Sequence, residues 1–263
     1  MKLAEALQER ADLNRQIEQL RSRLSHNAIV QEGEAPAEDP GDLLAQLDRA
    51  TARLEELMAS INLANSRTVV NDKTLTQIIA RKDCLRLRLE AYRELAETVR
   101  QAYDGLESQY PTLRSGYGPP KAVLASRGMS YLDITGVFFA YTFEANVNVD
   151  VPDYSIPATM GHELSHLRGY MREDEANFLG YLCCRESSHP DLRYSAAMLA
   201  FTHATNQLYR QDPEAAQEIF DGMEEGVRRD RAYNSAYWER FEGRLSEVSR
   251  TVNNTYLQAN SQE

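Results

Sequence analysis

Cysteine is scarce in this chain: three in 263 residues, with Cys84 alone and Cys183 beside Cys184. That spacing makes neither a disulfide framework nor a zinc ribbon, and a reducing cytoplasm is the expected home. Positive charge is short as well. With 29 Lys and Arg against 40 Asp and Glu, the formal net charge is −11. This excludes the basic stripe with which a general nucleic-acid binder displaces counterions from phosphates, and the polybasic patch of a membrane-surface protein. No run of about eighteen apolar residues occurs, so no integral membrane span is expected. The opening, Met1-Lys2-Leu3-Ala4-Glu5, passes straight into an amphipathic pattern rather than an apolar leader.

What is present falls into two parts with different patterning. Over residues 2–25 apolar positions recur every seven residues: Ala6, Leu13 and Leu20 in one row, Leu3, Ile17 and Leu24 in another. A stripe this narrow is the seam of a coiled coil. Gly33, Pro36, Pro40 and Gly41 break it, and a second helix starts near Asp42 with Leu43, Ala50, Leu57 and Ala64 beside Leu47, Leu54 and Ile61. After a polar turn at 65–74, with Thr74 as cap, a third stripe follows: Ile78, Leu85, Tyr92 and Val99. A helical hairpin or three-helix bundle is expected over residues 1–107, with self-association through these helices. Nothing catalytic appears there; His26 stands alone.

Beyond a Pro-, Gly- and Tyr-rich stretch at 108–120, residues 131–151 read as extended. The alternation Ala145-Asn146-Val147-Asn148-Val149 marks a half-buried strand, and Gly136 a bend or hairpin before it. From about residue 157 the pattern is helical, broken at Gly169, around 187–190, at Pro213 and near Gly226. The fold class is therefore mainly α (α+β): a coiled helical module over 1–107, then a helical domain with a small β-sheet over 108–263.

The chemistry concentrates at His162-Glu163-Leu164-Ser165-His166. On a helix, positions four apart share a face, so both imidazoles can reach one Zn2+ while Glu163 serves as general base on a water. A catalytic zinc needs a third protein ligand. A histidine at position 172 would extend the motif, but that residue is Arg172. The alternative comes from a new helix opening at 172–178. Glu173 and Asn177 lie four apart, so Glu173 can bind the metal while Asn177 steadies a ligand imidazole. Glu175 is the rival ligand. Ala176 and Gly180 keep that helix slim for close approach.

Two resemblances accompany these readings. The runs MKLAEALQERADLNRQIEQLRSRL, VQEGEAPAEDP, INLANS and LTQIIARKDCLRLRL resemble the start of the bacterial septicolysin family over residues 1–95, which implies a helical protein of poorly defined role. EANVNVD (144–150), HELSH (162–166) and REDEANF (172–178) resemble a bacterial family of zinc metallopeptidase-like proteins without established function. The likeness continues through 192–195, 233–240 with Trp238, and 248–260, and so covers residues 108–263. That resemblance implies a zincin-like fold with His162, His166 and Glu173 as ligands and Glu163 as base. Peptide-bond hydrolysis of a peptide or protein substrate is the expected activity. His203, Tyr194 and Tyr256 are candidate oxyanion donors. The alternative is a helical interaction or assembly protein whose zinc site is structural or vestigial.

Overall fold

The computed structural model describes residues 2–29, 34–114 and 116–260, so Gly33 lies outside the described residues. The chain divides into two compact units, Met1–Arg86 and Leu87–Glu263.

In the first unit, α1 (Leu3–Asn27) and α2 (Pro40–Arg67) form a hairpin. Its buried seam is the heptad pattern itself, Ala6, Leu13 and Leu20 against Leu43, Ala50, Leu57 and Ile61. Pro40 opens α2 in the first turn, where its missing N–H costs nothing. Asp39 caps it by accepting from the Gly41 and Asp42 amides at 2.6 and 3.3 Å. Asn27 closes the hairpin, accepting from the Glu38 amide at 3.0 Å. The expected polar turn is a small β-hairpin, β1 (Val69–Val70) with β2 (Lys73–Thr74). Asn71 and Asp72 hold its two left-handed positions, φ 48° and 61°.

Thr74 caps the next helix, α3 (Leu75–Gly105), in a reciprocal box with Gln77. The third apolar stripe does not form one continuous seam. Ile78 and Leu85 are exposed, whereas Val99 is buried in the core of the second unit. The unit boundary accordingly falls after Arg86 rather than at residue 107, because Ala96, Val99 and Tyr103 of α3 belong to that second core.

The second unit continues with β3 (Lys121–Ala122), α4 (Ser126–Tyr131), β4 (Gly136–Phe139) and β5 (Glu144–Val147). Helices α5 (Ile156–Leu167), α6 (Glu173–Arg185), α7 (Pro190–Gln211), α8 (Pro213–Asp221), α9 (Glu225–Glu239) and α10 (Arg244–Asn260) follow. The fold is mainly α with a small β component, as the patterning implied. The sheet order is β3-β5-β4, with β5 parallel to β3 and antiparallel to β4. The alternating strand is therefore central, with Ala145 and Val147 turned into the core. Asn146, paired to both neighbours, offers no free edge; β4 does. The β4–β5 turn lies at 140–143, beyond Gly136, with Phe143 at φ 55°.

Arg168 anchors the C-terminal end of α5. Its side chain is 1% exposed and reaches the Asp104 carboxylate at 2.7 Å. It also donates to the Leu164 and Arg114 carbonyls at 3.1 and 2.8 Å. The guanidinium lies 4.0 Å from the Tyr103 ring centroid, and the Tyr103 hydroxyl meets Ser165 at 2.9 Å. A buried cation is costly unless it is paired and hydrogen-bonded; here Asp104 of α3, the Arg114 carbonyl before β3 and the Leu164 carbonyl of α5 give each guanidinium nitrogen one acceptor, which ties the end of α5 to α3.

Candidate metal centre

Helix α5 carries His162, Glu163 and His166 on a segment most of whose residues are buried. The two imidazoles sit one turn apart, ring centroids 4.6 Å and planes at 90°. Gly169, at φ 94°, ends the helix in the left-handed conformation that glycine adopts without strain. The chain that follows serves the site directly, because the Tyr170 carbonyl accepts the His166 Nδ1–H at 2.8 Å. Helix α6 then opens on Glu173. Arg172 pairs with Asp174 at 2.8 Å, away from the histidines.

Close approach of the two helices depends on glycine. A Cβ on Gly180 would stand 2.8 Å from the His162 nitrogen and 2.9 Å from the Ala158 oxygen, and one on Gly161 would stand 3.0 Å from the Gly180 Cα. With both absent, Asn177 accepts the His162 Nδ1–H at 3.0 Å. Each ring thus has its Nδ1 proton bound to an acceptor, which leaves the Nε2 lone pairs as the free ends.

Those free ends converge on Glu173. Its oxygens lie 3.3 Å from His162 Nε2 and 3.6 Å from His166 Nε2. The donor atoms of all three residues lie within 4.8 Å of one another, the one such cluster among the described residues. Three acceptors facing one point repel unless a cation stands between them. Tetrahedral zinc with bonds of about 2.0–2.1 Å separates its ligand atoms by about 3.4 Å, so these residues fit that ion. Without it a proton performs part of the task. Burial works against a charge on His162, but Glu173, Glu163 and Asn177 outweigh it and raise its pKa. Burial and the neighbouring His162 charge lower that of His166. Burial also opposes ionisation of Glu173, yet the hydrogen bond from His162 and both histidine charges hold its pKa down. The rival Glu175 is exposed and no member of the cluster.

Glu163 is 3% exposed, and its Oε2 has no hydrogen-bond partner among the described residues. Burial pushes its carboxyl up to about 7. The side chain lies against Gly136 of β4, where a Cβ would fall 2.3 Å from Oε1. Gly136 therefore makes room for Glu163 rather than turning the chain. Glu163 and the donor triad line a cleft of about 660 Å³, whose other walls are residues 132–138 and the α10 residues Arg250, Val252, Asn253 and Asn254. Arg250 Nε meets Asp133 at 2.5 Å across the rim.

A family described as "Protein of unknown function (DUF3810)" matches residues 5–263. The chain belongs to the DUF3810 family. That single match runs through both units and contains every residue of the site. No curated protein and no solved structure matches the chain.

Two of the three oxyanion candidates lie elsewhere in this DUF3810 chain. Tyr194 donates to Asp230 at 2.6 Å, His203 is exposed, and neither lines the cleft. The Tyr256 side chain lies outside the described residues. His189 is exposed near Asp191, and His26 is exposed with Nδ1 on the Ser22 carbonyl. Sequence reasoning overlooked β4 and α10 as cleft walls. Gly136 and the Asn253-Asn254 pair were the available signals, but both read as ordinary turn and helix residues.

Proposed function

We propose that this protein is a zinc-dependent peptidase that hydrolyses peptide bonds with a metal-activated water and Glu163 as general base. The observation that carries the reading is the convergence of two Nε2 lone pairs and one carboxylate, with each imidazole oriented through its Nδ1. When bound, zinc supplies Lewis acidity, lowering the pKa of its water toward neutrality and polarising a carbonyl. His162, His166 and Glu173 would hold it, while Asn177 and the Tyr170 carbonyl keep the rings in register. Glu163 takes the water's proton and delivers it to the leaving amine. Its raised pKa and unpaired oxygen suit a group that must both accept and release a proton. The β4 edge, at the wall of the cleft, offers main-chain pairing to an extended peptide.

A purely structural zinc is the less favoured reading, since such sites are closed by four protein ligands. Three donors cluster among the described residues, and the cleft beside them is open. Metal analysis and a peptide-library digest test the proposal. About one zinc per chain is expected in the native protein and in Glu163→Gln, with metal lost in His162→Ala. Cleavage should vanish in Glu163→Gln. A native protein that cannot take up zinc refutes the site, and a library left uncut by the zinc-loaded protein refutes the activity.

A further inference from the structure

Thr135, His162 and Glu173 line two cavities at once. One is the open cleft; the other is a pocket of about 300 Å³ leading from the triad into residues of α5, α7 and α9. Beyond the donors His162 and Glu173 at its mouth, no acidic or basic side chain lines this second pocket among the described residues.

Most of its hydroxyls are already committed. Thr159 donates to the Ser155 carbonyl at 3.0 Å, Thr202 to the Met198 carbonyl at 2.8 Å, and Ser155 to the Pro152 carbonyl at 2.7 Å. The Ser195 hydroxyl accepts from the Ala158 amide at 3.0 Å. What remains for a guest is the apolar surface of Ala158, Met198 and Leu199. Three polar ends, the Tyr154 and Thr135 hydroxyls and the Asn234 amide, have no side-chain hydrogen-bond partner among the described residues; Thr135 sits at the mouth shared with the open cleft, which leaves Tyr154 and Asn234 for the pocket itself. A charged group entering such a pocket would lose its water and, with His162 and Glu173 engaged as donors, meet no other charged side chain in the lining to replace it. An uncharged one keeps its apolar stem covered and finds two groups able to donate or accept at its end.

We propose that this pocket sets the substrate preference: it takes one long uncharged side chain from a residue beside the scissile bond. Met198 and Leu199 cover the stem, and Tyr154 and Asn234 read the tip. The inference rests on the zinc-peptidase reading and adds its substrate class.

Hydroxamates, which chelate zinc through a common head group, separate the two ideas. Calorimetric titration of the zinc-loaded protein compares acetohydroxamate with hydroxamates bearing isobutyl, 4-hydroxybenzyl, 4-aminobutyl or 2-carboxyethyl arms. The two uncharged arms are expected to bind at least tenfold more tightly than acetohydroxamate, and the two charged arms no more tightly than it. Asn234→Asp, a near-isosteric change at a half-buried position, sets a carboxylate at the tip. It should raise the ratio of aminobutyl to isobutyl affinity at least fivefold. Equal binding of all arms, or an unchanged ratio in Asn234→Asp, overturns the pocket assignment while acetohydroxamate binding upholds the metal site. If the loaded protein binds no hydroxamate at all, the metal reading falls and this inference with it.

Discussion

Replacing Gly180 by alanine tests whether the α5–α6 contact sets the geometry of the donor triad. The added Cβ would lie 2.8 Å from the His162 nitrogen and 2.9 Å from the Ala158 oxygen, both backbone atoms, where ordinary contacts begin near 3.4 Å. Relief requires the helices to part by about half an ångström, and overpacking of this kind costs about 1–3 kcal/mol. Alanine in a helix returns about 1 kcal/mol through propensity, so the net destabilisation is about 0–2 kcal/mol. The metal is the more sensitive reporter. His162 and His166 ride on α5 and Glu173 on α6, and a site held to about 0.5 Å tolerates little separation. Zinc affinity should fall by about tenfold or more, as expected when ligand orientation is disturbed. Gly128→Ala in α4 is the control, because its Cβ would meet nothing within 4 Å; propensity alone should leave it neutral or slightly stabilised. Urea denaturation in the presence of EDTA measures the first quantity, and competition with a chromogenic chelator the second. If Gly180→Ala matches the control in both, close helix approach does not position the donors and the reasoning fails.

Three further outcomes follow from particular side chains. Glu163 in the metal-free protein titrates near 7 against an ordinary 4.5. The folded state therefore holds a proton that the unfolded chain has released, and stability falls by about 3 kcal/mol as pH rises from about 4.5 to 7. Glu163→Gln should abolish that decline, which denaturation in EDTA at pH 5 and pH 8 checks. Gly136→Ala should push Glu163 out of place, lowering peptide cleavage by about a hundredfold or more while one zinc per chain is retained; loss of the metal as well would contradict the local clash. Arg168→Gln removes a buried cation from Asp104 and two carbonyls, and should cost about 3 kcal/mol by denaturant midpoint. A change under about half a kcal/mol would show the network to be dispensable.

The parts of the fold legible in the sequence were those whose pattern is local. The α1–α2 seam repeats every seven residues, and its Ala6, Leu13, Leu20, Leu43, Ala50 and Leu57 are all buried. His162 and His166 share a face by helix geometry alone, and the Glu173–Asn177 spacing placed both residues against them. What periodicity could not convey was surroundings. Ile78, Leu85 and Val99 form one stripe on one helix, yet only Val99 meets a core. The alternation at 145–149 identifies a strand but not its neighbours, so β5 gave no sign that β3 pairs with it from the other side. Nor does anything local to 249–254 announce that these residues wall a cleft whose His162, His166 and Glu173 cluster lies far upstream.

The donor set itself is short in sequence: His162, His166 and Glu173 sit on two successive helices joined by one turn. Bringing such close neighbours together costs little chain entropy, whereas enclosing the cleft requires β4 and α10 to arrive from either side. During synthesis the three donors leave the ribosome about seventy residues before α10 begins, which at roughly 5–20 residues per second is several seconds. If zinc is bound as proposed, the order of manufacture lets the α5–α6 pair meet the ion before the α10 wall of the cleft exists.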